Sequence, residues 1–220
     1  MKMKITVNHL TKKLKGNIVS DDISLEMISG NVYGLCGYNG CGKTMLMRLL
    51  AGLIIPTGGE ILYDQKRLGK DMNFPPNMGI LIENPAFIDG KSGEDNLILL
   101  SSIGARITKD EVRSAIERVG LNPDDKRKYK KYSLGMKQRL GIAAAIMEKP
   151  EVIILDEPTN ALDKDGIELV KSIIMEEKDR GALIIMSCHD YSILENCCDC
   201  IYKIERGKIT DTMYKNRSIE

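Results

Sequence analysis

Two short stretches of the sequence carry the residue types that phosphate chemistry needs. The first, Gly37-Tyr-Asn-Gly-Cys-Gly-Lys-Thr44, has the spacing G-x-x-x-x-G-K-[ST] between an apolar strand pattern and a helical pattern. Glycines let such a loop curl so that its backbone N–H groups face phosphate oxygens. Lys43 would then reach the β and γ oxygens, and the Thr44 hydroxyl would ligate Mg²⁺. The stretch predicts a nucleotide site formed by Gly37, Tyr38, Asn39, Gly40, Cys41, Gly42, Lys43 and Thr44.

The second stretch is a pair of acids that follows a buried strand. Four apolar residues, 152–155, precede Asp156 and Glu157, and ligands of parallel sheets bind beyond the carboxyl ends of the strands. We expect Asp156 to hold Mg²⁺ through water, and Glu157 to orient and deprotonate an attacking water. The alternative is that the two acids only cap the next turn.

Two further stretches are weaker signals on their own. His189 follows the strand pattern 182–187, and this position favours a function over the usual surface role of a lone histidine. The segment Tyr132-Ser-Leu-Gly-Met-Lys-Gln-Arg139 places Ser133 and Gly135 at the start of a helix, where free N–H groups and the helix dipole attract an anion. The preceding basic run KRKYKK is interpreted as a solvated face, with a nucleic-acid patch as the rival.

The elements that must position these residues follow from periodicity. Thr108-Lys-Asp-Glu111 is a capping box, which predicts a helix over 109–119. No strand pattern occurs between Gly93 and Met147. We therefore predict a parallel α/β core that carries an inserted helical subdomain of roughly 50 residues. The strand patterns are 4–8, 22–28, 31–36, 60–63, 79–82, 152–155, 183–187, 200–204 and 208–211.

The overall composition limits where in the cell the protein is expected and which classes of partner it could bind. With 32 Lys+Arg against 31 Asp+Glu the net charge is +1, so no global field favours nucleic acid or an anionic membrane. No signal peptide and no run of about 18 apolar residues occurs, which predicts a cytosolic protein. The six cysteines suggest no disulfide framework. Cys197, Cys198 and Cys200 favour packing over a metal site, and Cys41, at a helix N-terminus, is expected to be the most reactive thiol.

Four stretches together resemble the ATPase subunit of an ATP-binding cassette (ABC) transporter: GYNGCGKT, YSLGMKQ, ILDEPTNALD and SCHD. The resemblance spans nearly all 220 residues. It implies an α/β fold of the P-loop NTPase type, with a mixed-sheet core (1–90 and 148–220) that has a small antiparallel part. It also implies that the helical subdomain (91–147) carries the YSLGMKQ motif. It implies that ATP is hydrolysed between two subunits packed head to tail, with Ser133 and Gly135 of one subunit capping the γ-phosphate bound by the other. It also makes Glu157 the general base, His189 the γ-phosphate switch residue, and Ala161-Leu-Asp163 a loop that exchanges contacts across a dimer of two copies. The further partner implied is a membrane permease that would hold the chain at the inner face of the cell membrane.

Three motifs depart from the common family pattern: the base contact at Leu14, the Q-loop at Glu83, and the signature, in which Leu134 and Met136 flank a single glycine. Leu14 stands where the family often has an aromatic residue on adenine, so the base contact would be apolar without a π face. Glu83 replaces the glutamine of the Q-loop and could ligate Mg²⁺ or only couple to the permease. Glu83-Asn-Pro-Ala-Phe87 and YSLGMKQRLGIAAAI resemble the branch that includes bacitracin-resistance and lantibiotic-immunity exporters.

Two other classes of protein also contain a phosphate loop of this kind. A soluble ABC ATPase that acts on ribosomes or DNA would carry two cassettes or very long helical arms, and neither fits in 220 residues. A GTPase switch would need a guanine-reading motif such as Asn-Lys-x-Asp, which does not occur. We therefore expect an ATPase that drives an exporter of antibiotic peptides or other hydrophobic compounds, with ATP and Mg²⁺ as cofactors and no nucleic-acid partner.

Overall fold

The computed structural model describes residues 3–75, 77–104 and 106–215 and is built on two sheets. The larger has six strands in the order β10-β9-β3-β8-β7-β6. Five of them are parallel, and β10 pairs antiparallel with β9 at one edge. Its strands are β3 (Val32–Cys36), β6 (Met78–Leu81), β7 (Val152–Leu155), β8 (Leu183–Ser187), β9 (Cys200–Glu205) and β10 (Lys208–Tyr214).

The smaller sheet is antiparallel, with the strand order β2-β1-β4-β5. Its first two strands form a long hairpin that extends well past the predicted ranges 4–8 and 22–28. Its two-residue edge strand, 66–67, was not predicted. The strands are β1 (Lys4–Leu14), β2 (Asn17–Ile28), β4 (Gly58–Tyr63) and β5 (Lys66–Arg67).

Six helices complete the described fold. Thr108 caps α3 as predicted, because its hydroxyl accepts from the Glu111 N–H while the Glu111 carboxylate accepts from the Thr108 N–H. None of the described helices combines the length and apolar character that a bilayer-spanning segment needs. The helices are α1 (Lys43–Leu50), α2 (Gly93–Gly104), α3 (Lys109–Arg118), α4 (Leu134–Ile146), α5 (Lys164–Asp179) and α6 (Tyr191–Cys197).

The six-stranded sheet separates two hydrophobic cores. Successive strand residues point to opposite faces, so in β7 Val152 and Ile154 join one core while Ile153 and Leu155 join the other. The first core includes α1 and the antiparallel sheet, and the second includes residues of α2 to α6. Both faces are therefore covered, as a parallel sheet requires.

The fold class predicted from the sequence is confirmed, including the mixed sheet, the antiparallel part and the helices inserted between β6 and β7. The division at 91 and 147 stays a prediction. Cys197, Cys198 and Cys200 are buried and pack in the two cores.

Candidate active site

The phosphate-binding loop connects β3 to α1. Gly37 has φ 147° and Gly42 has φ 118°, which side chains larger than glycine rarely adopt. A Cβ on Gly37 would lie 2.2 Å from the carbonyl oxygen of Ile204, and one on Gly42 would lie 2.9 Å from that of Val19. The two glycines therefore let the loop fit closely between β2 and β9. Its end is the N-terminus of α1, where unpaired N–H groups and the helix dipole favour an anion.

The cation of this loop is Lys43. Its side chain is 6% exposed, and its Nζ donates to the carbonyl oxygen of Gly37 at 2.7 Å. The ammonium group thus lies over the loop whose N–H groups would bind phosphates. This is the position that a residue reaching the β and γ oxygens requires.

Asp156 joins the loop to the ends of β7 and β8. One carboxylate oxygen accepts from the Thr44 hydroxyl at 2.6 Å, and the other accepts from the Ser187 hydroxyl at 2.6 Å. Ser187 is fully buried and also accepts from the Glu157 N–H at 2.9 Å. It was missed in the sequence analysis, although a serine that closes the apolar strand Leu183–Ser187 was a visible signal. Hydroxyl and carboxylate oxygens are the donors that Mg²⁺ prefers, so Thr44 and Asp156 fit the ion.

Glu157 combines burial with an unsatisfied oxygen. Its Oε2 accepts from the His189 backbone N–H at 2.9 Å, whereas its Oε1 is buried, makes no hydrogen bond with a described residue, and lies 3.4 Å from His189 Nε2. Burial raises the pKa of the Glu157 carboxyl, and the nearby His189 and Lys43 oppose that rise. A buried carboxylate with a raised pKa and a free oxygen is suited to accept a proton from water. Its backbone φ of 51° is strained for a non-glycine residue.

These groups line one open cleft of about 560 Å³. The structure therefore brings together most of the predicted site: Tyr38, Asn39, Gly40, Cys41, Gly42, Lys43, Thr44, Asp156, Glu157 and His189. Gly37 instead lines a neighbouring cleft behind the loop. Five lining residues were not predicted from the sequence: Ile18, Val19, Met45, Arg206 and Gly207.

Two predicted contact residues do not line this cleft. Leu14 lies at the end of β1, partly exposed, and the apolar lining comes instead from Ile18 and Val19 at the start of β2. Glu83 forms a 2.6 Å ion pair with Arg48 of α1. Its carboxylate is thus engaged by a cation outside the cleft lining, and its φ of 61° marks a strained loop. The two roles expected for Glu83 stay predictions.

The segment before α4 lies beside the predicted exchange loop of the same chain. The Ser133 hydroxyl caps α4 by accepting from the backbone N–H three residues later, at 3.2 Å. A Cβ on Gly135 would lie 2.9 Å from the Ala161 carbonyl oxygen. Asp163 caps α5, and buried Gln138 donates to the Glu157 carbonyl oxygen at 3.0 Å. The start of α4 is therefore linked to the acid pair by hydrogen bonding, while Ser133, Gly135 and Asp163 lie outside the cleft lining.

The structure contradicts the expected reactivity of Cys41. Its side chain is 1% exposed and packs in the core beneath the loop. The N–H groups of a phosphate loop face the ligand, but the Cys41 thiol points away from it into apolar surroundings. Cys36 is the only partly exposed cysteine, all six lying within the described residues, although burial raises its thiol pKa.

This site defines the chain as a P-loop nucleoside triphosphatase. It combines a glycine loop and its buried lysine with a hydroxyl that is paired to a strand-end carboxylate, and a second acid lies beside that carboxylate. The family model described as ABC transporter matches residues 20–160. The chain belongs to this family, as an ATP-binding subunit of an ABC transporter with ATPase activity.

Relatives and solved structures agree with this assignment. An ABC transporter ATP-binding protein of Bacillus subtilis, YybJ, is 44% identical over 93% of this chain and 94% of its own length. The bacitracin transport protein BcrA of Enterococcus faecalis is 37% identical over 96% of this chain and 69% of its own. The lantibiotic transport protein SrtF of Streptococcus pyogenes is 34% identical, with 93% and 88% covered. A bacterial ABC transporter cassette solved as a dimer shares the fold, with a TM-score of 0.89 at 20% identity over 97% of this chain and 99% of that one.

Proposed function

We propose that the chain hydrolyses ATP at the interface of two copies and thereby powers a separate membrane permease that exports antibiotic peptides or other hydrophobic compounds. The observation that carries this proposal is the common cleft of Lys43, Thr44, Asp156, Glu157 and His189. These residues come from three separate segments of the chain, and each has the chemistry that one part of a phosphoryl transfer needs.

In the proposed reaction the loop N–H groups and Lys43 bind the triphosphate. Thr44 and Asp156 hold Mg²⁺, which when bound supplies positive charge to the phosphate oxygens. Glu157 Oε1 accepts a proton from water while the water oxygen bonds to the γ-phosphorus and the bond to the bridging oxygen breaks. His189, beside Glu157, contacts the γ-phosphate and responds to its release. Since the raised pKa of Glu157 makes it a stronger base, the arrangement favours proton abstraction.

The proposed dimer places the start of α4 against the nucleotide bound by the partner subunit. Leu134, in the first turn of that helix, is 73% exposed, and a large apolar side chain beside free helical N–H groups suits a surface that another protein covers. Within one chain, Ser133 and Gly135 do not reach the cleft. The nucleotide bound by a second copy is therefore the simplest ligand for Ser133 and Gly135.

The proposed cargo rests on the relatives. Two of them, BcrA and SrtF, carry names that refer to bacitracin and lantibiotic transport. The permease would select the cargo and would hold this chain at the cytoplasmic face of the membrane. Co-purification of the chain from its native membrane, with identification of the permease beside it, tests this part. Recovery only with ribosomes or nucleic acid would contradict it.

Mixing two inactive variants tests the shared site. Lys43→Ala removes the phosphate cation, and Leu134→Arg alters the exposed start of α4 without disturbing a buried contact. Gly135→Asp is less suitable, because its Cβ would already press on Ala161 of the same chain. A mixed dimer retains one intact composite site, so mixing should restore part of the ATP hydrolysis.

Ile103→Arg is the matched control, since Ile103 is 82% exposed on α2 and lies outside the proposed dimer contact. It should leave hydrolysis by the isolated chain unchanged. Absence of rescue in mixed dimers, demonstrated by differential tagging and pull-down, would refute the composite site.

A further inference from the structure

Arg206 differs from the other arginines of the described residues in lacking a carboxylate partner. Its guanidinium forms no ion pair with a described residue, although it lines the nucleotide cleft. A cation that forms no such pair at the wall of a ligand site is available for the ligand. The arginines that do form ion pairs are Arg48, Arg67, Arg106, Arg113, Arg118, Arg127, Arg139 and Arg180.

Backbone hydrogen bonds clamp Arg206 against the phosphate loop. It lies in the turn between β9 and β10, where the Gly207 N–H donates to the Cys41 carbonyl oxygen at 2.8 Å. The Arg206 N–H donates to the Tyr38 hydroxyl at 3.2 Å. The Gly207 carbonyl oxygen accepts from the Asp21 N–H at 2.8 Å. Three contacts therefore fix the turn, and the φ of 49° at Arg206 is part of its geometry.

The order of the strands in the sheet determines toward which part of the bound nucleotide Arg206 is placed. In the sheet β9 lies on one side of β3, whereas β8 and β7 lie on the other. The turn after β9 therefore lies on one side of the phosphate loop, whereas Glu157 and His189, which follow β7 and β8, lie on the other side. A Cβ on Gly207 would lie 2.9 Å from the Val19 carbonyl oxygen, so the turn adjoins the apolar end of the cleft.

We propose that Arg206 stacks its guanidinium on the base of the bound nucleotide, opposite Ile18 and Val19. The inference rests on the nucleotide cleft described above. The phosphates already have the loop N–H groups and Lys43, while Ile18 and Val19 at the apolar end are aliphatic and offer the base only apolar contact. A guanidinium is planar and weakly hydrated, and it stacks well on π faces. Arg206 thus determines affinity for the nucleoside part of the ligand and tolerates different purines.

Isothermal titration with Mg-ADP and with Mg-pyrophosphate tests the stacking, because neither is hydrolysed and only ADP has a base. Arg206→Ala should weaken Mg-ADP binding about five- to ten-fold and leave pyrophosphate binding unchanged. Arg206→Lys keeps the charge but lacks the planar face, so it should weaken Mg-ADP binding similarly. Lys208→Ala is the control: it removes a charge from the same turn, where Lys208 pairs with Asp21 at 3.1 Å.

Three results would overturn the stacking. They are unchanged Mg-ADP affinity in Arg206→Ala, equal weakening for pyrophosphate, or full affinity in Arg206→Lys. A loss as large in Lys208→Ala would also overturn it, since long-range charge would then explain the effect. If the wild-type chain bound neither ligand, the nucleotide site itself would be wrong, and that outcome is separate from the other four.

Discussion

Replacing Glu157 with Gln removes one proton acceptor and little else. The amide retains a carbonyl oxygen for the His189 N–H, which now donates to the carboxylate at 2.9 Å. Its NH₂ group would occupy the position of Oε1, the oxygen without a hydrogen bond. Because an amide accepts no proton from water at neutral pH, hydrolysis should fall by about 10²-fold or more. Nucleotide binding should survive, and the ATP-bound dimer should accumulate.

The same substitution should raise stability near neutral pH. Burial raises the folded-state pKa of Glu157, so the charged carboxylate is destabilising above that pKa, and this cost disappears as pH falls below the unfolded-state value. A neutral Gln avoids the cost. We therefore expect the free energy of unfolding of Glu157→Gln to exceed that of the wild type at pH 8, and this difference should shrink at acidic pH.

Glu177→Gln is the matched control. Glu177 is 3% exposed but is paired with Arg118 at 2.9 Å and Arg180 at 2.7 Å, and it does not line the cleft. Removing its charge leaves two arginines without their buried partner, so stability should fall while hydrolysis per folded molecule stays unchanged. Phosphate release, gel filtration with Mg-ATP and urea unfolding at two pH values measure these effects. Wild-type turnover in Glu157→Gln would refute its role as base.

Three further outcomes are expected. If Glu83 reaches Mg²⁺ during turnover, Glu83→Gln should need more Mg²⁺ for half-maximal hydrolysis, and Arg48→Ala, which frees the carboxylate, should need less; identical Mg²⁺ titrations would leave Glu83 as a coupling residue at most. Iodoacetamide should label Cys36 before Cys41, by peptide mass mapping, and faster labelling of Cys41 would contradict the buried thiol. Gly79→Ala should destabilise the fold by about 2 kcal/mol or more, because its Cβ would overlap a backbone carbonyl of α4; an unchanged urea midpoint would refute that contact.

Several features were open to prediction because their signals are local. The capping box of α3 acts through residues three apart, and the apolar run of β7 marks a strand buried on both faces. The loop from Gly37 to Thr44 carries its own phosphate chemistry. These patterns depend only on residues that are close in sequence, so they can be recognised without knowledge of the fold.

Other features were not predicted because the relevant neighbour is distant in sequence. Leu14 was the residue expected at the base, and no local signal pointed to Arg206, which lines the cleft from the far end of the chain. The ion pair of Glu83 with Arg48 also joins residues that are distant in sequence, while the roles expected for Glu83 stay predictions. The loop position of Cys41 suggested a reactive thiol, but the fold of the loop buries it.

The sequence alone determined the phosphate loop, the acid pair, the succession of strands around an inserted helical stretch, and membership of the ABC family. These depend on residue types at short spacings. Only the tertiary structure decided that Ser187 ties Asp156 to Glu157, and that Arg206 lies across the loop from them. The physical reason is strand order: β3 lies between β8 and β9 and runs parallel to both. The carboxyl ends of these strands therefore meet, and they bring together residues from both ends of the chain. No pattern of neighbouring residues in the sequence predicts which of these distant residues lie side by side.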